Sequence, residues 1–162
     1  MPELVLPVAV AAPPERVWAV LTDWRAQGRW MLATDVEVVT PHDEGIGVRL
    51  AARTGVPLPW RRGRHGSVRH LGVLDTMVVT EWDPPHHVVV QHTGRIVRGP
   101  GIFDLTPAPH GTDLVWTERL YLPFGILGRL GWPLVKPFVV LGFRLSLRRF
   151  ARYAASDATT AG

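Results

Sequence analysis

The chain has 162 residues, 46% of them hydrophobic and 20% charged, which suits the core of one ordinary domain and excludes a disordered chain. Cysteine is absent, so a disulfide framework, a thiolate metal site and a cysteine nucleophile are excluded. The formal charge of +4 comes almost wholly from arginine, with Lys136 the single lysine, and an excess of that size suits a solvated surface. No recognised nucleic-acid module accompanies it. The start of the chain lacks the basic and cleavage-site pattern of a secretory signal, so the expected location is cytoplasmic. The most apolar stretch, 132–147, is interrupted by Lys136 and Arg144 and is too short to span a bilayer.

In chain order, residues 4–11 are apolar and β-branched enough for a first strand, with Pro7 marking an edge position. Pro13 and Pro14 then open a helix, because first-turn amides have no intrahelical partner to lose. Val17, Val20, Leu21 and Trp24 recur at spacings of three and four and make one apolar face. A second short helical turn covers 24–31, broken by Gly28. Strands follow over 35–40 and 48–54, then a Pro- and Gly-rich loop over 55–66. Further strands cover 68–82, 87–93, 101–106 and 113–122, a spacing that implies an antiparallel meander. The last element is a helix over 133–155, led by the glycines Gly125, Gly128 and Gly131 as a flexible lead-in.

That helix is apolar on two sides at 100° per residue. Val135, Val139, Phe143, Phe150 and Ala154 form a face for the sheet. Leu134, Phe138, Leu141 and Leu145 line the opposite face first, and Arg148 and Arg152 continue it. A helix apolar on both sides requires cover on both: the N-terminal helices, a ligand, a partner or a membrane surface.

Three segments carry a resemblance. Residues 12–30 (APPERVWAVLTDWRAQGRW), 79–94 (VTEWDPPHHVVVQHTG) and 103–120 (FDLTPAPHGTDLVWTERL) look like the opening, middle and penultimate hairpin of the START-like helix-grip superfamily. Within it they are most similar to the polyketide cyclase/dehydrase and lipid-transport group. The resemblance implies an α+β helix-grip fold: a curved antiparallel sheet of about seven strands around a long C-terminal helix, with two short helices after strand 1. It implies one ligand-binding domain over 1–156, a disordered tail over 157–162, and a cavity between sheet and helix. That superfamily includes cyclases, lipid carriers, hormone-binding proteins and chaperone activators, so the fold selects no chemistry by itself.

Polar residues inside apolar strands are the candidate catalytic groups. Asp75 alternates with Val73 and Met77; it either projects into the cavity, where a desolvated carboxylate suits proton transfer, or faces outward. Glu118 alternates with Leu114, Trp116 and Leu120 and has the same two readings, while Arg119 must lie on the other face. His92 is the third candidate. Trp24, Trp30, Trp116, Phe138, Leu141 and Leu145 are the candidate ligand-binding residues, bulky enough to wall a pocket. His86 and His87, if both on a strand, point to opposite faces, and no metal-site motif occurs; neither a metal nor a cofactor is expected. The basic stretch 60–70 is either a solvated hairpin tip or a contact for an anionic group.

The functional expectation is binding or transport of a hydrophobic small molecule, a lipid or polyketide-like compound. A polyketide cyclase, aromatase or dehydrase is the alternative, and a chaperone-activator-like interaction module is the third. A hydrophobic small molecule is thus the expected partner, with transient contact to a membrane or an acidic partner and no nucleic acid.

Overall fold

Alternation of side chains across strands decides which residues reach the core, and the first strand shows it. In β1 (Glu3–Val10), Leu4, Leu6 and Val10 are buried while Glu3, Val5, Pro7 and Ala9 face solvent. The computed structural model describes residues 2–62, 68–121 and 125–156, without the side chains of 57–62 and 68–70. The side chains of the basic stretch 60–70, and the tail 157–162, lie outside the described residues.

After β1 come α1 (Pro14–Thr22) and a 3-10 helix (Trp24–Arg29), then β2 (Thr34–Val38), β3 (Arg49–Arg62), β4 (Val68–Asp83), β5 (His87–Thr93), β6 (Arg98–Ala108) and β7 (Gly111–Arg119). The last element is α2 (Gly125–Ser156). All seven strands form one antiparallel sheet in the order β1-β7-β6-β5-β4-β3-β2, so β1 is an edge and Pro7 sits where a missing amide costs least. The curled seven-stranded sheet and the long C-terminal helix make a helix-grip fold.

Pro13 flanks the start of α1, Pro14 and Glu15 occupy its first turn, and Val17, Trp18, Val20 and Leu21 are buried. Asp23 then caps the 3-10 helix by accepting from the Ala26 amide at 3.3 Å. This helix runs through Gly28, which has no room for a side chain: a Cβ there would lie 2.9 Å from the Thr34 carbonyl.

Two expectations are corrected. The stretch 55–62 is strand, not loop, because Gly55 and Gly72 oppose each other where β3 and β4 approach too closely for side chains. A Cβ on either would collide with the carbonyl of Leu71 or Thr54, so these glycines permit pairing. The last helix begins at Gly125, so Gly128 and Gly131 are helical and Pro133 and Pro137 lie inside it. Each proline removes one intrahelical hydrogen bond, and both sit in an exposed half where solvent reaches the freed carbonyls.

The second half of α2 is the anchored half. Leu147, Phe150 and Ala154 are buried, Trp30 packs edge-on against Phe150 with ring centroids 5.0 Å apart, and Ser146 Oγ accepts from the Leu32 amide at 2.9 Å. Burying a side chain the size of Phe150 contributes roughly 2–3 kcal/mol. The N-terminal helical segment therefore clamps only this half. In the first half, Leu134, Phe138 and Leu141 remain exposed. By length and composition this 32-residue helix is apolar enough to cross a membrane, contrary to the expectation from 132–147 alone.

Candidate functional site

Because α2 is held down at only one end, its first half roofs a cavity of about 790 Å³ over the concave face of the sheet. Leu50 and Ala52 of β3, Met77 of β4 and Val90 of β5 supply the apolar floor, and Phe103 and Trp116 continue it. Val135, Val139 and Phe143 come down from the roof, with Gly128, Gly131 and Gly142 keeping it thin. Ile96, Tyr121 and Phe138 line the cavity yet remain largely exposed, and so mark its rim.

One charged cluster interrupts this wall. His92 Nδ1 lies 2.6 Å from Asp75 Oδ2, and His92 Nε2 lies 2.9 Å from Glu118 Oε1. The first contact is a hydrogen bond; the second is an ionic contact without hydrogen-bond alignment. The three side chains retain 11%, 14% and 2% of their surface for His92, Asp75 and Glu118; all three line the cavity, Glu118 being the most deeply buried. Trp116 Nε1 donates to Glu118 Oε2 at 2.8 Å while its ring stacks on Phe103, 5.1 Å away, and meets Phe143 of α2 at 4.6 Å.

The backbone explains how these groups meet. His92 is on β5 and Glu118 on β7, with β6 between them. At the crossing point β6 carries Gly101, paired with Glu118 on one side and Val90 on the other. A Cβ on Gly101 would lie 3.0 Å from Glu118 Oε2 and 3.4 Å from His92 Nε2, so the absence of a side chain lets the two reach across a strand. Asp75 approaches from β4, beside Gly94.

Burial pulls the His92 imidazolium down, but the hydrogen bond to Asp75, the contact with Glu118 and the attraction of both charges outweigh it and raise its pKa to about 10. The ring is therefore charged at neutral pH. With both nitrogens protonated it cannot take up a proton, but it can donate or hold a negative charge. Asp75 is the more exposed of the two carboxylates that line the cavity, and one oxygen each of Asp75 and Glu118 has no hydrogen-bond partner among the described residues. No group of three or more His, Asp or Glu among the described residues is placed to hold a metal ion.

All three candidate catalytic residues thus come together, on the inward reading of Asp75 and Glu118, while Arg119 faces out and pairs with Glu3 at 2.7 Å. Of the candidate ligand contacts, Trp24, Trp116 and Phe138 line the cavity. Trp30 does not, being spent on packing against Phe150; Leu141 and Leu145 point away from it, because they lie on the outer side of α2. His86 is in the turn before β5 rather than on a strand, and His87 is held on the outer face by Asp104 at 2.7 Å and Glu81 at 3.1 Å. The Asp104 hydrogen bond is the main cause of a raised His87 pKa.

Gly101 escaped the sequence reading, although Gly-Pro-Gly beside a strand is a signal of close approach. Ile96, Tyr121, Thr34 and Ser146 escaped it too, being brought to the cavity by loops, by the pairing of β2 with β3 and by helix docking.

The family described as polyketide cyclase / dehydrase and lipid transport matches residues 1–155. Among solved structures, the Zhui aromatase/cyclase of Streptomyces sp. R1128 superimposes with a TM-score of 0.74 at 19% identity, over 99% of this chain and 98% of that one. A Thermus thermophilus protein gives 0.71 at 21% identity, over 96% and 99%. A Nitrosomonas europaea protein gives 0.66 at 13% identity, over 97% and 96%. At these identities the likeness is one of fold. No curated protein matches the sequence.

Proposed function

This chain belongs to the polyketide cyclase/dehydrase and lipid-transport family, and from that premise we propose that it binds an apolar small molecule, lipid or polyketide-like, in the cavity beneath α2. The observation that carries the proposal is the makeup of the wall: about 790 Å³ lined by apolar and aromatic side chains, with one buried charged cluster. Such a wall suits a ligand that is mostly hydrocarbon and has one polar group to set against Asp75 and His92. The apolar surface supplies affinity and the polar point supplies orientation.

Native mass spectrometry of the purified protein, followed by organic extraction, tests this. An apolar adduct of defined mass, or uptake of a supplied fluorescent fatty acid, is the expected result. Finding neither an adduct nor uptake overturns it.

The second reading is catalysis of the cyclase or dehydrase kind, favoured by one feature, the placement of the charged cluster on the cavity wall. Cyclisation needs a shaped cavity and one or two acid–base groups. Asp75 would accept a proton and the His92 imidazolium would hold a developing oxyanion. Turnover of a supplied poly-β-ketone that falls at least a hundredfold in both Asp75→Asn and His92→Gln supports it; unchanged turnover in both overturns it.

A further inference from the structure

We infer that the outer face of the first half of α2 is a docking surface for an anionic lipid bilayer. Ile126, Leu127, Leu130, Leu134 and Leu141 stand on this face, and no described residue covers it; Leu130 is 71% exposed and Leu134 76%. With Leu145 they make an apolar row about 30 Å long, far more than the single exposed leucines expected on a soluble surface.

Charge selects the occupant. From Gly125 to Ser156 the helix carries Arg129, Lys136, Arg144, Arg148, Arg149 and Arg152 and no acidic residue. All six are exposed, and none has an ion-pair partner among the described residues. The whole chain is only +4, so the rest of the protein is net acidic and the positive charge is concentrated on this helix. Arg148 and Arg152 prolong the apolar row, and Arg144 and Arg149 flank its end, the arrangement by which an amphipathic helix lies in a lipid interface. A second copy on the same face would bring the two sets of cations together with no acid to meet them. A spanning orientation is opposed because the inward side of α2 is committed to the cavity and the sheet.

The same half-helix is the cavity roof, thinned by Gly128, Gly131 and Gly142. Docking would set that roof and its rim against the lipid. The inference concerns the outer face alone and stands whether or not the cavity holds a ligand.

Vesicle flotation tests it, with phosphatidylcholine vesicles compared with vesicles containing about 30% phosphatidylserine. The protein is expected to float with the anionic vesicles and to be released at about 0.5 M salt. Leu130→Ser combined with Leu134→Ser should weaken binding more than tenfold. Arg148→Glu combined with Arg152→Glu should weaken it more than twentyfold, at about fivefold per lost cation. Both variants change only exposed positions, and both should melt as the parent does. No flotation with anionic vesicles, or flotation unaltered in both variants, overturns the inference. So does a parent dimer that the leucine variant dissociates without any vesicle binding, which would make this face a contact between copies.

Discussion

Replacing His92 by glutamine removes the one positive charge between Asp75 and Glu118, whose oxygens lie 2.6 and 2.9 Å from its nitrogens. Glutamine can still donate a hydrogen bond, but it leaves two buried carboxylates without a counter-charge. Removing one partner from a buried ionic cluster costs about 3–5 kcal/mol, because the group left behind keeps its desolvation penalty. For a domain of this length, that lowers Tm by roughly 6–20 °C. The pH dependence gives a sharper test. The folded-state pKa of His92, about 10, lies above its ordinary 6.5, so its stabilising effect is complete below about pH 6.5 and is lost as pH rises through 10. The stability gap between parent and His92→Gln should therefore be largest near pH 6.5 and close towards pH 10. Urea unfolding at pH 6.5, 8 and 10 measures the gap at each. A loss below about 1 kcal/mol, or a gap that stays constant with pH, would refute a charged His92 bridging Asp75 and Glu118.

Trp116→Phe keeps the aromatic packing against Phe103 and Phe143 but removes the N–H that donates to Glu118 at 2.8 Å. It should cost about 1–3 kcal/mol in urea unfolding. Gly101→Ala places a methyl 3.0 Å from Glu118 Oε2 and 3.2 Å from Val90 Cγ2, and should destabilise by about 1–3 kcal/mol. Combined with His92→Gln, its cost should fall by at least about 0.5 kcal/mol, since the two share one cluster. Val139→Trp fills the cavity from its roof, whereas Leu141→Glu alters only the outer face of α2. Quantified bound or supplied ligand should fall at least tenfold in the first and stay within about twofold in the second.

A buried ionic cluster seldom adds net stability, since well-packed apolar groups would do as well or better. Its place in an otherwise apolar cavity therefore points to a use, and orientation or chemistry of a bound molecule is the use that position allows. The rim formed by Ile96, Tyr121 and Phe138 lies beside the outer row of α2. Uptake of an apolar molecule and lipid docking would then share one end of the protein.

The sequence by itself determined the element order, the strand over 87–93, the edge position of β1 and the apolar face of α1, because each rests on local periodicity or on proline chemistry. It also singled out Asp75, His92 and Glu118, since a polar residue among alternating apolar ones is visible without a partner. Three things needed the tertiary structure. The direction of Asp75 depended on how β4 pairs with its neighbours, and a register shift between Val79 and Glu81 shows how easily facing changes along that strand. The division of α2 into an anchored half and a roofing half depended on Trp30, Leu32 and Ser146, far apart in sequence. The meeting of His92 with Glu118 depended on Gly101 leaving a gap in the strand between them. Local pattern places a side chain on a face, but only the packing of distant segments decides what that face meets.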